Sequence, residues 1–180
     1  MHRNNLFKKL NLYSPQDSNE LTMYNSLLQF IDKTPDCFNS KLDTGHITGS
    51  AWILDYKKNS VLLTHHKKLN KWLQLGGHAD GDSDILSVAE REAEEESGLK
   101  SIKYLSYDIF DIDVHIIPRN QNTLEHSHYD IRFLFEANIN EPLIVSKESI
   151  DLLWVSLNNV YKLNSNESIS RMVNKSKTLT

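Results

Sequence analysis

Residues 76–99 of the chain read GGHADGDSDILSVAEREAEEESGL. After the double glycine, three short side chains could cap a helix N-terminus by accepting hydrogen bonds from its free N–H groups: Asp82, Ser83 and Asp84. Apolar residues then recur every four positions and form a narrow stripe: Ile85, Ala89 and Ala93. Gly98 suits the left-handed conformation that commonly ends a helix. The stretch therefore predicts a glycine turn followed by a helix over residues 84–97, packed closely against a core.

The other face of this helix is acidic. Glu92 and Glu96 are four residues apart, so both carboxylates project from one side, and Glu95 adds a third acid beside them. Like charges at this spacing oppose helix formation by roughly 0.2–0.5 kcal/mol per pair. A hard cation such as Mg²⁺, which prefers carboxylate oxygens, would reverse that effect. On these residues alone, a solvated acidic face is the alternative interpretation.

The spacing of the whole stretch resembles the Nudix box, G-x5-E-x7-R-E-U-x-E-E-x-G-U, in which U is aliphatic. Seven residues are in register: Gly77, Arg91, Glu92, Glu95, Glu96, Gly98 and Leu99. Ala93 stands where the family has a bulkier aliphatic residue. Ser83 occupies the position of the first box glutamate, which in the family supports the loop and helix geometry. Its acidic neighbours Asp82 and Asp84 could supply the missing charge.

The resemblance covers about residues 47–160 and implies an α/β (α+β) fold, in which a mixed β-sheet is sandwiched between helices. It also implies a Mg²⁺ site, for which Mn²⁺ could substitute. Four residues correspond to metal-binding positions of the family: Gly76 through its carbonyl, and Glu92, Glu95 and Glu96. Glu95 has a second implied role, which is to orient a water molecule. Arg91 would hold the glutamates in place through charge-assisted hydrogen bonds.

A further carboxylate in this family often lies a few residues before a Trp-containing last strand. Glu148 precedes Trp154 by six residues and is our candidate for a general base or an extra metal ligand. An exposed loop acid is the equally open alternative. Asp151 lies closer to the strand, and we expect a structural role for it. The candidate catalytic residues are thus Glu95, Glu148 and Arg91.

Most of the eight histidines fall in the middle of the chain. His78 follows the double glycine, and His126 and His128 open a predicted strand. We assign these three to substrate binding, where they could contact phosphate or transfer protons. Two histidines separated by one residue could also chelate zinc, because alternate strand residues share a face, but the sequence shows no third ligand. Ordinary surface histidines remain the alternative.

Outward from the box, apolar runs predict five strands, over residues 47–54, 60–64, 104–117, 129–137 and 152–156. Ser14-Pro15 predicts the start of a helix that ends before Pro35, and residues 165–175 predict a final amphipathic helix. We expect residues 1–40 to form a helical extension packed on a single globular domain of residues 41–180. The extension could also contribute to the pocket or to a homodimer surface.

Composition limits the class of protein. The chain has 180 residues and a net charge of −4, which argues against a non-specific nucleic-acid binder. The single cysteine, Cys37, excludes an intrachain disulfide and a zinc site built from cysteines. No apolar run approaches the roughly 20 residues that span a bilayer, and no signal peptide is evident. We therefore expect a cytoplasmic protein without membrane partners.

The resemblance to the Nudix box implies a Mg²⁺-dependent hydrolase that cleaves a diphosphate linkage in a small phosphorylated metabolite. A nucleoside diphosphate derivative is the first choice of substrate, and a sugar or other small-metabolite diphosphate is the alternative. An isomerase on the same scaffold would need a pocket cysteine, whereas Cys37 precedes the predicted sheet. A non-catalytic binding module is disfavoured by the intact box glutamates. An RNA-end pyrophosphohydrolase would be expected to show a basic surface that the sequence lacks.

Overall fold

A computed structural model describes residues 2–119 and 124–179. Four α-helices are present in this part of the chain: α1 (Asn4–Leu12), α2 (Ser18–Lys33), α3 (Ile85–Ser97) and α4 (Glu167–Ser176). The strands are β1 (Gly45–Asp55), β2 (Ser60–His66), β3 (Lys71–Leu73), β4 (Leu75–His78), β5 (Lys103–Ile117), β6 (His126–Ala137) and β7 (Ser149–Ser156). A short 3₁₀ helix, Val160–Lys162, precedes α4. The mixed fold class predicted from the sequence is confirmed.

The seven strands form one sheet around β1. Its main order is β3-β2-β1-β6-β5, while β4 also pairs with β1 and β7 with β2. The β1–β6 pair is parallel over its whole length, and the other pairs are antiparallel. Every residue of β1 is buried, as expected for a central strand covered on both faces.

Alternation along β1 divides the core into two layers. Ile47, Ala51 and Ile53 belong to the layer that contains buried residues of α1, α2 and α3. Trp52 and Leu54 face the other layer, which α4 covers. The sheet is therefore sandwiched between helices, because side chains point alternately to its two faces.

Helix α1 was not predicted from the sequence. Residues 72–75 alternate as in a strand that leads to the double glycine, and the structure divides this segment into two short strands, β3 and β4. The start of α2 differs from the expected one, because the side chain of Asp17, three residues after Ser14, caps the helix. Helix α3 begins within one residue of the predicted position, and Asp84 is the one of its three candidate caps whose carboxylate accepts from Ser87 N.

Helix α2 is tied to α4 by buried charges. Glu20 is fully buried and forms an ion pair with the ammonium group of Lys175. The guanidinium of Arg171 lies 3.6 Å from the same carboxylate. The boundary between residues 1–40 and 41–180 stays a prediction, although these contacts link its two sides. No helix in residues 2–119 and 124–179 is long and apolar enough to cross a membrane.

Candidate active site

Two facing glycines bring α3 against the sheet. Gly77 of β4 lies opposite Gly49 of β1. A Cβ at Gly77 would overlap the carboxylate of Glu92, and one at Gly49 would lie 2.9 Å from the carbonyl oxygen of Ile85. A side chain at either position would push the helix away. The glycines therefore let the acidic helix face reach the backbone of β4.

Glu96 is the most deeply placed acid of this helix, with 7% of its surface exposed. Its Oε2 accepts a hydrogen bond of 3.1 Å from Gly76 N. The pKa of Glu96 is raised to about 7, mainly by burial and also by the Glu92 and Glu148 carboxylates, while the Gly76 hydrogen bond opposes the rise. Near neutral pH this carboxylate is thus held in an environment that disfavours its negative charge.

Arg91 positions Glu92. Its Nη2 donates to Glu92 Oε1 at 3.0 Å and to the carbonyl oxygen of His78 at 3.2 Å. Burial raises the pKa of Glu92, and the Arg91 guanidinium counteracts that effect. The arginine therefore links the helix to the end of β4 and holds one carboxylate, while its catalytic role stays a prediction.

Glu95 lies at the exposed edge of this group. Its side chain is 66% exposed, and its Oε1 is 4.0 Å from Arg91 Nε. It thus shares the arginine with Glu92 but remains open to solvent. A role in binding metal or in orienting water stays a prediction.

Glu148 reaches the same region from another part of the chain. It lies in the turn immediately before β7, and its backbone carbonyl accepts from Lys67 N at 2.9 Å. Its side chain is exposed, yet close enough for its charge to raise the pKa of Glu96. Asp151, in contrast, uses its carboxylate to accept from Leu152 N at 2.8 Å. The fold therefore brings Glu148 towards the box helix. Its role as a general base stays a prediction.

The donor set fits a hard dication. Glu92 and Glu96 are carboxylates four residues apart on α3, partly removed from water, and each has a raised pKa. A dication would relieve the cost of holding these charges together, and oxygen ligands are the ones Mg²⁺ prefers. The site could therefore hold Mg²⁺ through these two carboxylates, with the Gly76 carbonyl as a further predicted ligand.

Five histidines gather on the sheet face turned away from α3. His46 and His128 are paired across β1 and β6, and His115 faces His128 from β5. His78 joins them from β4, and His126 lies two residues before His128 on the same strand face. The ring centroid of His46 lies 4.6 Å from that of His128 and 4.8 Å from that of His78. The three histidines assigned to substrate are thus neighbours, but that role stays a prediction.

Beside the histidines, the same face carries a buried polar network that sequence reasoning missed. Asp130 accepts hydrogen bonds from the hydroxyl groups of Thr48 and Ser50. It also forms an ion pair with Arg132, whose Nε lies 2.7 Å from the carboxylate. Arg132 forms a second ion pair with Asp111, with 3.0 Å between Nη1 and the carboxylate oxygen. The available signal was the alternation of charged and apolar residues in the middle of β5 and of β6. Such a network stabilises the face of the sheet that α4 covers.

Comparison with protein families gives one match, to the NUDIX domain, over residues 46–175. None of the curated proteins matches the chain.

Solved structures share the fold. An Ap4A hydrolase from C. elegans is 17% identical, with a TM-score of 0.56 over 73% of this chain and 94% of that one. A NUDIX family hydrolase from Clostridium perfringens is 24% identical, with a TM-score of 0.55 over 75% and 98%. A dihydroneopterin triphosphate pyrophosphohydrolase from E. coli is 10% identical, with a TM-score of 0.55 over 72% and 92%. At these identities the likeness concerns the fold alone.

Proposed function

Because this chain belongs to the NUDIX domain family and is a hydrolase of that family, we propose that it uses Mg²⁺ to cleave a diphosphate linkage in a small phosphorylated metabolite. The observation that supports the proposal most is the placement of Glu96. A buried carboxylate at the Gly76 backbone, with Glu92 and Glu148 close by, is a costly arrangement for structure alone.

Each acid has a distinct task in the proposed site. Glu92 and Glu96 would hold Mg²⁺, which when bound neutralises phosphate charge and acidifies water. Arg91 keeps Glu92 oriented through its 3.0 Å hydrogen bond. Glu148 accepts the proton of the attacking water, because it is exposed and close to the box helix. Glu95 remains the second candidate for this step.

The favoured substrate is a nucleoside diphosphate derivative. Two of the proteins with the same fold are named for nucleotide-like polyphosphates, an Ap4A hydrolase and a dihydroneopterin triphosphate pyrophosphohydrolase. A sugar diphosphate is the alternative, since residues outside the box select the group attached to the phosphates. We assign the contact with a phosphate oxygen to His126, which is half-buried at the edge of the histidine cluster. We place the reaction in the cytoplasm, where the single buried thiol of Cys37 would stay reduced.

The test is a substrate panel. Nucleoside diphosphate sugars, dinucleoside polyphosphates, nucleoside triphosphates and simple sugar diphosphates are incubated with the full chain in Mg²⁺ or in chelator, and released phosphates are measured. The Glu92→Gln/Glu96→Gln double variant controls for contaminating hydrolases. Mg²⁺-dependent cleavage of at least one compound by wild type only is expected. Equal turnover by the double variant, or no cleavage of any compound, would overturn the proposal.

A further inference from the structure

Three of the clustered histidines are arranged as metal ligands. His46, His78 and His128 each offer one ring nitrogen, and these three atoms all lie within 4.8 Å of one another. They come from β1, β4 and β6, so no local sequence motif connects them. Of the His126 and His128 pair considered from the sequence, only His128 belongs to this group, and His46 and His78 supply the other two nitrogens.

His46 is the strongest sign that the cluster has a ligand. Only 2% of the residue is exposed, and neither ring nitrogen has a hydrogen-bond partner among the residues that the structure describes. A buried imidazole without a partner is costly, because at least one nitrogen has lost its bond to water and gained nothing in return. Its nearest polar neighbours are the other imidazoles, at centroid distances of 4.6 Å and 4.8 Å.

The flanking histidines differ from these three. His115 Nδ1 is 3.0 Å from a carboxylate oxygen of Asp113, and His126 Nδ1 is 2.8 Å from the carbonyl oxygen of Leu124. Each therefore has a partner of its own. Burial, together with the neighbouring imidazoles, lowers the pKa of His46 to about 4 and that of His128 to about 2. Both rings are neutral at physiological pH, which is the form that binds metal.

We propose that His46, His78 and His128 form a binding site for a transition-metal dication, with Zn²⁺ as the best fit. Imidazole nitrogens suit Zn²⁺ and its neighbours in the transition series, whereas Mg²⁺ requires oxygen. Three nitrogens with an open fourth position are a common zinc arrangement. This site is separate from the Glu92 and Glu96 carboxylates, because His46 and Gly49 occupy opposite faces of β1 and α3 packs on the Gly49 face.

Metal binding would draw the rings together. Tetrahedral zinc with bonds of about 2.0–2.1 Å places its nitrogen ligands roughly 3.3 Å apart. The present separations, up to 4.8 Å, must therefore shorten. His78 is exposed at the end of β4 and is the ring that packing constrains least. The bound ion would join the ends of three strands next to the double glycine.

Zn²⁺ titration of the full chain tests the site, with Co²⁺ as the spectroscopic substitute. Saturating Mg²⁺ occupies the oxygen ligands during the titration, so that only the imidazoles remain for the added metal. Wild type should bind one Zn²⁺, gain thermal stability, and give the intense visible absorption of tetrahedral Co²⁺. Loss of an outer-shell partner already lowers metal affinity by about 10–100-fold, so loss of an imidazole ligand should lower it by at least about 100-fold.

His78→Ala is the main variant, because its exposed side chain can be removed without creating a cavity, and His128→Gln is the second. His65→Ala, at a partly buried histidine outside the cluster, is the matched control and should bind like wild type. The Glu92→Gln/Glu96→Gln double variant should also retain the site. No Zn²⁺ binding by wild type, unchanged binding by both histidine variants, or loss of binding only in the glutamate variant would each overturn the proposal. These results are independent of Mg²⁺-dependent hydrolysis, so the two proposals can fail separately.

Discussion

The carboxylate of Glu96 accepts a 3.1 Å hydrogen bond from the backbone N–H of Gly76. This contact joins the last turn of α3 to the strand that carries the double glycine. It also keeps the carboxylate buried beside two other acids, so the charge of Glu96 is disfavoured until a cation is present.

This burial predicts a pH-dependent stability. In the metal-free fold the pKa of Glu96 is about 7, above the ordinary value of 4.5. A raised carboxyl pKa contributes stability below the ordinary value and loses it as pH rises through the folded value. The unfolding free energy of wild type relative to Glu96→Gln should therefore fall by about 2–3 kcal/mol between roughly pH 4.5 and 7. Urea unfolding in chelator across this range measures the difference. Parallel pH profiles for the two proteins would show that Glu96 is not held in this way.

Glu148→Gln tests the general base. A positioned base contributes about 10²–10⁴-fold in rate, so the variant should lose that much kcat with little change in stability. His126→Ala is the competing variant, because that ring could accept a proton from the histidine face. Steady-state kinetics on the substrate found in the panel measure both. If Glu148→Gln remains within about threefold of wild type while His126→Ala falls about a hundredfold, the base has been misassigned.

Ser83→Glu restores the glutamate that the box normally has. Asp84 is the cap of α3, so the change leaves the capping hydrogen bond in place. A negative charge near a helix N-terminus should add about 0.3–1 kcal/mol of stability and leave turnover intact. Asp84→Ala should instead cost about 1 kcal/mol. Thermal unfolding ranks the variants, with Ser83→Ala as the control. A larger loss for Ser83→Ala than for Asp84→Ala would mean that Ser83 is the cap.

Glu20→Gln tests whether the N-terminal helices are part of the folded unit. Glu20 is fully buried against Lys175 and Arg171, and removing one partner of a buried ion pair costs about 3–5 kcal/mol. Asp111 also contacts Lys175, at 2.8 Å, so the lower end of that range is expected. Glu167→Gln, at an exposed acid of α4, is the control. A loss for Glu20→Gln as small as the control's would mean that α2 is dispensable for the stability of the sheet.

The box helix and the long strands could be predicted because their signals are local. Residues 85–97 show helical spacing, a cap and a C-terminal glycine within one stretch, and 45–55 is an almost uninterrupted buried strand. The alternation of residues 72–75 indicated a strand before the double glycine, but it did not indicate that this segment divides into β3 and β4. Even so, Gly77 was singled out by its place in the box.

The histidine cluster required the tertiary fold. His46 and His128 are 82 positions apart and meet only because β1 and β6 pair in parallel, a register that no local pattern specifies. The same is true of Asp130 with Thr48 and Ser50. Glu148 is intermediate, because its distance from Trp154 singled out a loop carboxylate, while its proximity to Glu96 emerges only from the fold.

We expect Glu92 and Glu96 to be essential for hydrolysis, and turnover in Mg²⁺ measures their contribution. Glu96→Gln and Glu92→Gln should each lose at least about 100-fold in kcat, since removal of one such electrostatic group costs about 10²–10³-fold. Glu94→Gln is the matched control on the same helix, because Glu94 forms an ion pair with Lys100 at 3.7 Å and does not reach the glycine turn. It should remain within about threefold of wild type. Near-wild-type turnover by Glu96→Gln at ordinary Mg²⁺ concentration would contradict the assignment of Glu96 as a Mg²⁺ ligand.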